Sequence, residues 1–213
     1  MMAKAKEIKL ATIDIKTAQV FIEGEGDLIL NKMNARNERA LLNPNRKNVR
    51  EQPNKWEDII TAIHWRDGIP AKDTYKECDE YMLLDMLKNN APCIPTFGFK
   101  KSFGEAVVRN EIDTYSTKIN NAISVVAPNN LVPVSFAEHY VEERLMSPQK
   151  GSPITVYLNH FCGWKADFTL RYVDHVYSLE QIVNVINLAG FGLGIGSGRS
   201  SGYGRYHVVD LKG

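Results

Sequence analysis

The sequence has few cysteines: only Cys78, Cys93 and Cys162 occur among its 213 residues, and no CxxC pair is present. An odd number of widely spaced cysteines supports neither a disulfide framework nor a zinc ribbon, and it fits a reducing compartment. The N-terminus lacks the apolar stretch of a signal peptide, and the chain lacks an apolar run of about 18 residues that would span a membrane. We therefore expect a cytoplasmic protein with no membrane partner.

An excess of either charge is also missing. The chain carries 26 lysines and arginines against 25 aspartates and glutamates, a formal net charge of +1. This balance gives no indication of a nucleic-acid or membrane partner, although a neutral sum can hide a local patch. Hydrophobic residues make up 44% of the chain and charged residues 24%, which is ordinary for a globular protein with a sizeable core. We expect one domain over residues 1–213.

Motifs for metal or covalent chemistry are absent. The five histidines share no metal-ligand spacing, and no HExxH or GxSxG motif occurs. His160 and Cys162 are the one His/Cys pair that is close in sequence. They would lie on the same side of a strand, but two ligands are too few for a zinc site. We predict no metal, no cofactor and no catalytic residue.

The most unusual segment that is present is rich in glycine. Residues 190–205 read GFGLGIGSGRSSGYGR, and seven of the first fifteen are glycine, close to half of the 15 in the chain. Glycine loses more backbone entropy on ordering than any other residue, so such a loop is costly to fix in place. A phosphate-binding loop follows a strand and opens a helix, whereas this one follows a predicted helix and precedes a predicted strand. Neither GxxxxGK[ST] nor GxGxxG occurs, so the loop is not a nucleotide-binding motif.

Two interpretations of this loop remain. It is either a flexible or close-packed connection, or a surface where small residues let a nucleic-acid strand approach and where N–H groups and arginines bind phosphates. The second interpretation predicts contacts from Gly196, Gly198, Arg199, Ser200, Gly202, Tyr203, Gly204 and Arg205. It also predicts that the loop is ordered against the helix near residues 100–108, with Gly202 and Gly204 the least replaceable glycines.

Hydrophobic periodicity predicts the surrounding elements. Strands are expected at residues 18–30, where Gly24 and Gly26 mark a bulge or bend, at 166–173 and at 203–211. Two short strands are expected in NAISVVAP and NLVPVSF, and helices in KWEDIITAIHW and in the segment that begins TFGFKK. YKECDEYMLLDMLKNN is either a further helix or an irregular insertion.

The helix before the glycine-rich loop has the clearest boundaries. Ser178 and Gln181 have the spacing of a capping box at its start. Gly190 lies where a C-cap glycine is expected. The end of the chain is therefore predicted to run strand, helix, glycine-rich loop, strand.

The segment from Lys32 to Lys55 is locally basic, with seven basic residues against two acidic ones. Part of it, NPNRKNVREQPN, has no hydrophobic period and predicts an exposed loop. Such a run is either a solvated loop or a nucleic-acid-binding segment, since cations and asparagines both bind phosphates. The cations of the second interpretation are Lys32, Arg36, Arg39, Arg46, Lys47 and Arg50.

Two stretches resemble a known family. GSGRSSGYGRYHV (residues 196–208) is similar to the C-terminal glycine-rich loop and last strand of the RAMP superfamily, whose members form CRISPR effector backbones and process guide RNA. CIPTFGFKKSFGEAVV (residues 93–108) resembles the backbone subunits' extended proline followed by a lysine-bearing helix, here with Lys100 and Lys101. The wider layout is similar to uncharacterised phage-encoded relatives of those subunits.

The resemblance implies an α+β fold. Its ferredoxin-like (RRM-like) βαββαβ core would occupy about residues 14–31, 92–176 and 177–213, with a large basic insertion at about 32–91 after the first strand. It further implies binding of single-stranded nucleic acid, RNA or DNA, by homo-oligomers that assemble side by side along the strand. A protein partner in a CRISPR or other defence complex is also implied, in the host cytoplasm if the chain is phage-encoded.

Catalysis has less support than binding. Processing nucleases of the family often carry a histidine soon after the first strand, and residues 31–50 contain none. Target-cleaving subunits use a loop aspartate, and Asp67 and Asp73 are better explained as solvated side chains. We predict a non-catalytic single-strand-binding protein. The alternatives are an endoribonuclease of the same superfamily and a mimic of the backbone subunit that blocks a host defence complex.

Overall fold

The computed structural model describes residues 13–42, 54–146 and 154–212. Within them the strands are β1 (Ile15–Gly24), β2 (Leu28–Leu30), β3 (His64–Trp65), β4 (Pro92–Pro95), β5 (Ile123–Val126), β6 (Leu131–Ser135), β7 (Glu138–Met146), β8 (Ile154–Cys162), β9 (Lys165–Val173) and β10 (Tyr206–Lys212). The α-helices are α1 (Ala35–Leu42), α2 (Lys55–Thr61), α3 (Glu80–Asn89), α4 (Thr96–Arg109), α5 (Thr117–Ala122) and α6 (Leu179–Gly192). The fold is therefore mixed α and β.

The larger sheet is antiparallel throughout. Its strand order is β10-β1-β9-β6-β4-β3, and β5 pairs with β9 on the same edge that β6 uses. The predicted alternation in β9 is confirmed, because Ala166, Phe168, Leu170 and Tyr172 are buried. Phe99 of α4 packs on Phe168 with ring centroids 4.8 Å apart, so α4 covers this face of the sheet.

The smaller sheet has the order β2-β8-β7. The chain leaves the larger sheet at Gly24 and enters the smaller one at Leu28, so the predicted interruption at Gly24 and Gly26 separates two strands. Trp164 anchors this crossing, since its indole Nε1 donates to the Gly26 carbonyl oxygen at 2.9 Å. The apolar residues of β7 come in adjacent pairs instead of alternating, and none is buried, so hydrophobic periodicity does not reveal the long β7–β8 hairpin.

Helix α6 begins as predicted and ends later than predicted. Ser178 and Gln181 form the capping box, which confirms that assignment. Gly190 is not the C-cap: the helix continues to Gly192, and Gly194, with φ +71°, turns the chain and donates its N–H to the Ala189 carbonyl oxygen. A helix end of this kind needs a left-handed residue after the cap, and Gly194 supplies it.

The segment between β2 and β4 contains helical structure. Helix α1 lies inside the basic segment, and α2 begins at the N-cap Asn54, whose side chain accepts from the N–H groups of Trp56 and Glu57. Trp65, expected near the end of this helix, instead lies in β3 and is buried. No described helix is long and apolar enough to cross a membrane.

Candidate nucleic-acid interface

The glycine-rich loop is an ordered segment held by backbone hydrogen bonds. After α6 it runs beside β2, where Ser197 donates its N–H to the Ile29 carbonyl oxygen at 2.8 Å. Further along, the Gly204 N–H donates to the Asp27 carbonyl oxygen at 2.8 Å, and the Ile195 N–H donates to Gly204 at 2.9 Å. The loop therefore closes on itself and on the turn that leads into β2.

The loop glycines differ in what surrounds them. All of the following have a left-handed φ: Gly194, Gly196, Gly198, Gly202 and Gly204. A Cβ on Gly204 would overlap the Ile195 carbonyl oxygen, and a Cβ on Gly196 would lie 2.5 Å from the Ile29 carbonyl oxygen. Gly202 has open space around it. At Gly196 and Gly204 the missing side chain therefore makes room for the protein's own backbone.

Helix α4 supports the loop, as expected. Ser102, which is fully buried, donates its hydroxyl to the Gly194 carbonyl oxygen at 3.1 Å. Arg199 lies in the short 3-10 helix Arg199–Ser201 and pairs with Glu105 of α4 at 3.3 Å. These contacts fix the loop over the helix that carries the predicted lysines.

Four of the predicted cations lie on the loop and on α4. Lys101 is exposed, with its Nζ 4.0 Å from Glu105, and Lys100 is half-buried. Arg205 donates its Nη1 to the Phe191 carbonyl oxygen at 2.7 Å, which satisfies a free carbonyl group near the end of α6. Together with Arg199 these side chains form what we call the loop–α4 surface. Ser200 is exposed on it.

The described cations of the basic segment mostly have structural partners. Arg36 forms a two-point ion pair with Asp58 at 3.0 and 2.5 Å, and Arg39 forms one with Glu57 at 3.0 and 3.2 Å. These pairs hold α1 against α2. Lys32 is half-buried, and burial lowers its pKa.

The backbone of Lys32 is close to the loop. The Ser197 hydroxyl donates to the carbonyl oxygen of the preceding Asn31 at 3.2 Å. Arg46, Lys47 and Arg50 lie outside the described residues. Among the described cations of the basic segment, Lys32 is therefore the one whose neighbouring backbone is hydrogen-bonded to the glycine-rich loop.

A buried histidine cluster lies beside the loop and was not predicted. His160 is 1% exposed, with Nδ1 3.2 Å from Asp27 Oδ2 and Nε2 3.0 Å from Glu142 Oε2. Tyr140 stacks on the imidazole at 4.5 Å and donates its hydroxyl to Asp27 at 2.7 Å. The ring of Tyr203 meets His160 edge-on at 5.4 Å. The cluster therefore supports the loop residue that sequence reasoning assigned to nucleic-acid binding.

Hydrogen bonding stabilises the charged forms of the two carboxylates in this cluster. Burial raises the pKa of Asp27, but hydrogen bonds from Tyr140, Cys162 and His160 outweigh it and leave that pKa below the ordinary value. A two-point hydrogen bond from Arg144 is the main cause of the lowered pKa of Glu142.

The sequence contains one weak sign of this cluster. The pair His160 and Cys162 was singled out for its spacing, and Cys162 does lie beside Asp27, whose charge adds to burial in raising the pKa of the thiol to about 11. Asp27, Tyr140 and Glu142 carry no sequence signal, because Asp27 precedes β2 and the other two lie on β7, each far from His160 along the chain. Among the described residues, no group of three or more histidine, cysteine or acidic side chains is arranged to hold a metal ion.

Comparisons with known proteins give structural neighbours at low identity. No family model matches the sequence, and no curated protein matches it. The crystal structure of Cmr6 from Pyrococcus furiosus is similar at a TM-score of 0.43 and 11% identity, over 92% of this chain and 98% of that one. A chain in the cryo-EM structure of the Type III-B Cmr-beta bound to cognate target RNA is similar at a TM-score of 0.44 and 12% identity. That match covers 93% of this chain and 60% of the other.

Proposed function

We propose that this protein binds single-stranded nucleic acid through the loop–α4 surface and does not cleave it. Two cations on the ordered loop, Arg199 and Arg205, and two on α4, Lys100 and Lys101, support the proposal, because Glu105 pairs the loop with the helix and Gly202 has open space around it. Cations bind phosphates in such interfaces, whereas the loop N–H groups of Ser197, Gly202 and Gly204 already donate to carbonyl oxygens of the protein. Electrostatic binding of this kind is sensitive to salt and depends little on sequence.

The fold that we propose for this function is a ferredoxin-like βαββαβ core made of β1, α4, β5, β9, α6 and β10. The antiparallel strand order β10-β1-β9-β5 supports it, because a βαββαβ unit with right-handed crossovers produces that order. The segment between β1 and α4 is then the insertion. We further propose that copies of the chain lie side by side along one strand.

The His160 cluster supports binding rather than cleavage. A general base or acid must come within hydrogen-bond distance of the reacting group. His160 is 1% exposed and both ring nitrogens face carboxylates, so it does not reach a substrate hydroxyl in this arrangement. Its role in the proposal is to hold Asp27 and Tyr203 in place beneath the loop.

A salt titration of strand binding tests the proposed function. We expect Arg199→Ala and Arg205→Ala each to weaken binding of all single strands and to lower the slope of log affinity against log salt by about one, between about 50 and 500 mM. Arg171→Ala is the matched control, because Arg171 is an exposed arginine on β9 between the buried residues Leu170 and Tyr172. Thermal unfolding of each variant checks that the fold persists.

Two results would overturn this proposal. If the Arg199→Ala/Arg205→Ala double variant binds with unchanged affinity and salt slope, the loop has only a structural role. If labelled RNA is cleaved in magnesium or in chelator, and one His or Asp substitution abolishes the cleavage, the protein is an endoribonuclease.

A further inference from the structure

Two exposed aromatic residues lie at the base of the glycine-rich loop. Phe97, in the first turn of α4, is 70% exposed, and Phe191, in the last turn of α6, is 77% exposed. Neither was predicted as a functional residue. A ring that is this exposed buries little apolar area, so packing in the core does not explain why an aromatic residue occupies either position.

Contacts of neighbouring groups place the two chain segments that carry these rings beside the loop. The position that a Cβ on Gly98 would occupy is 3.9 Å from Ile195 Cδ1, so the turn that carries Phe97 faces the loop. The carbonyl oxygen of Phe191 accepts the guanidinium of Arg205. One ring therefore stands at the start of α4 and the other at the end of α6.

The cations lie near the same two rings. Phe97, Lys101 and Glu105 are spaced four residues apart on α4 and so share one face of the helix. Glu105 is the partner of both Lys101 and Arg199, so this acidic group is already neutralised by the protein. The surface thus offers two flat apolar rings within a positively charged border.

We propose that Phe97 and Phe191 stack on unpaired bases of a strand whose phosphates are bound by Arg199, Arg205 and Lys101. This inference rests on the proposed function and deepens it, because it names unpaired bases as the feature that is recognised. Every base has a π-face, so aromatic stacking tolerates any sequence, whereas bases in a duplex are already stacked and cannot be used. The site therefore selects single strands over duplexes.

A polyanion fits this surface better than a second protein copy does. Aromatic rings in a protein interface are normally surrounded by a wide apolar area, and charged residues are depleted at its centre. Lys101, a residue type that is depleted in protein interfaces, lies one helical turn from Phe97 on α4, and Arg205 donates to the carbonyl oxygen of Phe191. Charge complementarity therefore favours a phosphate backbone with exposed bases.

Binding of three defined ligands tests the inference. The ligands are a homopolymeric single strand, an abasic strand of equal length and a duplex, each measured by fluorescence anisotropy. The proteins are wild type, Phe97→Ala/Phe191→Ala, Phe97→Leu/Phe191→Leu and the control Tyr81→Ala, which removes an exposed aromatic ring from α3. Size-exclusion chromatography with light scattering reports the mass of each variant.

The double alanine variant is expected to lose at least about thirtyfold in affinity for the base-bearing strand, since two stacked rings together contribute about 2 kcal/mol or more and 1.4 kcal/mol corresponds to a factor of about ten. Its affinity for the abasic strand and its salt slope are expected to stay unchanged, because the phosphate contacts remain. The double leucine variant is expected to behave like the alanine variant, since it keeps apolar area but cannot stack as a flat ring. Tyr81→Ala is expected to match wild type.

The outcomes separate this inference from the proposed function. If the arginine variants lose binding while both phenylalanine variants bind like wild type, the stacking inference is wrong and the proposed function stands. If wild type binds neither strand, both fail. If the alanine variant changes the mass of the protein in solution, the leucine variant restores it and strand binding is unaffected, the rings form a protein interface and the inference is again wrong.

Discussion

Two glycines in α6 provide a matched test of how the last helix packs on the sheet. Gly190 and Gly192 are two residues apart, and neither has a left-handed φ. A Cβ added at Gly190 would overlap the carbonyl oxygen of Tyr206 and lie 2.8 Å from its carbonyl carbon. A Cβ added at Gly192 meets nothing within 4 Å. Alanine at the two positions thus differs mainly in available space.

The opposing energies can be compared. Alanine in place of glycine favours a helix by about 0.5–1 kcal/mol, which is the whole effect expected at Gly192. At Gly190 the methyl group contacts backbone of β10, which cannot rotate away as a side chain would, so α6 must move off the sheet. Such overpacking costs about 1–3 kcal/mol. Because the opposing atom belongs to the backbone, we expect the upper end of this range, and subtracting the helix preference leaves a destabilisation of about 2 kcal/mol for Gly190→Ala. Gly192→Ala is expected to be slightly stabilising.

Thermal and urea unfolding of both variants measures this difference. For a chain of this size, about 2 kcal/mol corresponds to a decrease in Tm of roughly 4–8 °C. The reasoning would be refuted if Gly190→Ala unfolded at the same temperature as Gly192→Ala or at a higher one. In that case α6 would not pack on Tyr206 as closely as described.

Two further predictions concern charge. Arg36→Ala is expected to lower the free energy of unfolding, measured by urea denaturation, by about 3 kcal/mol, because it leaves the buried carboxylate of Asp58, which is 3% exposed, without its ion-pair partner. Lys16→Ala, at an exposed ion pair, should have little effect, and equal losses in the two variants would contradict this reasoning. Burial lowers the pKa of His139 to about 4 from the ordinary value of 6.5, so between these pH values the unfolded chain binds a proton that the folded protein does not. Stability should therefore fall as the pH is lowered from about 6.5 to about 4. His139→Gln should flatten that part of the Tm–pH profile, and an unchanged profile would show that His139 does not cause it.

Local patterns in the sequence predicted several elements correctly. The alternation in β9 and the Ser178–Gln181 capping box depend on residues close together in the chain, and their geometry follows from the period of a strand or the first turn of a helix. The two short strands expected in NAISVVAP and NLVPVSF are also present as β5 and β6. The chain turns between them at Asn129 and Asn130, whose positive φ asparagine tolerates better than most residues.

Tertiary structure decided which groups these elements bring together. Asp27, Tyr140, Glu142 and His160 meet because β2, β7 and β8 pair in one sheet, and no spacing along the chain indicates that pairing.

The same distinction holds for the glycine-rich loop. Its composition by itself indicated an unusual backbone, since few other residues adopt a left-handed φ without strain. Whether each glycine is needed for its dihedral angle or for close packing depends on what lies opposite it. Gly202 faces open space and Gly204 faces the Ile195 carbonyl oxygen because of how other parts of the chain pack around them. Only the three-dimensional structure therefore distinguishes the two glycines.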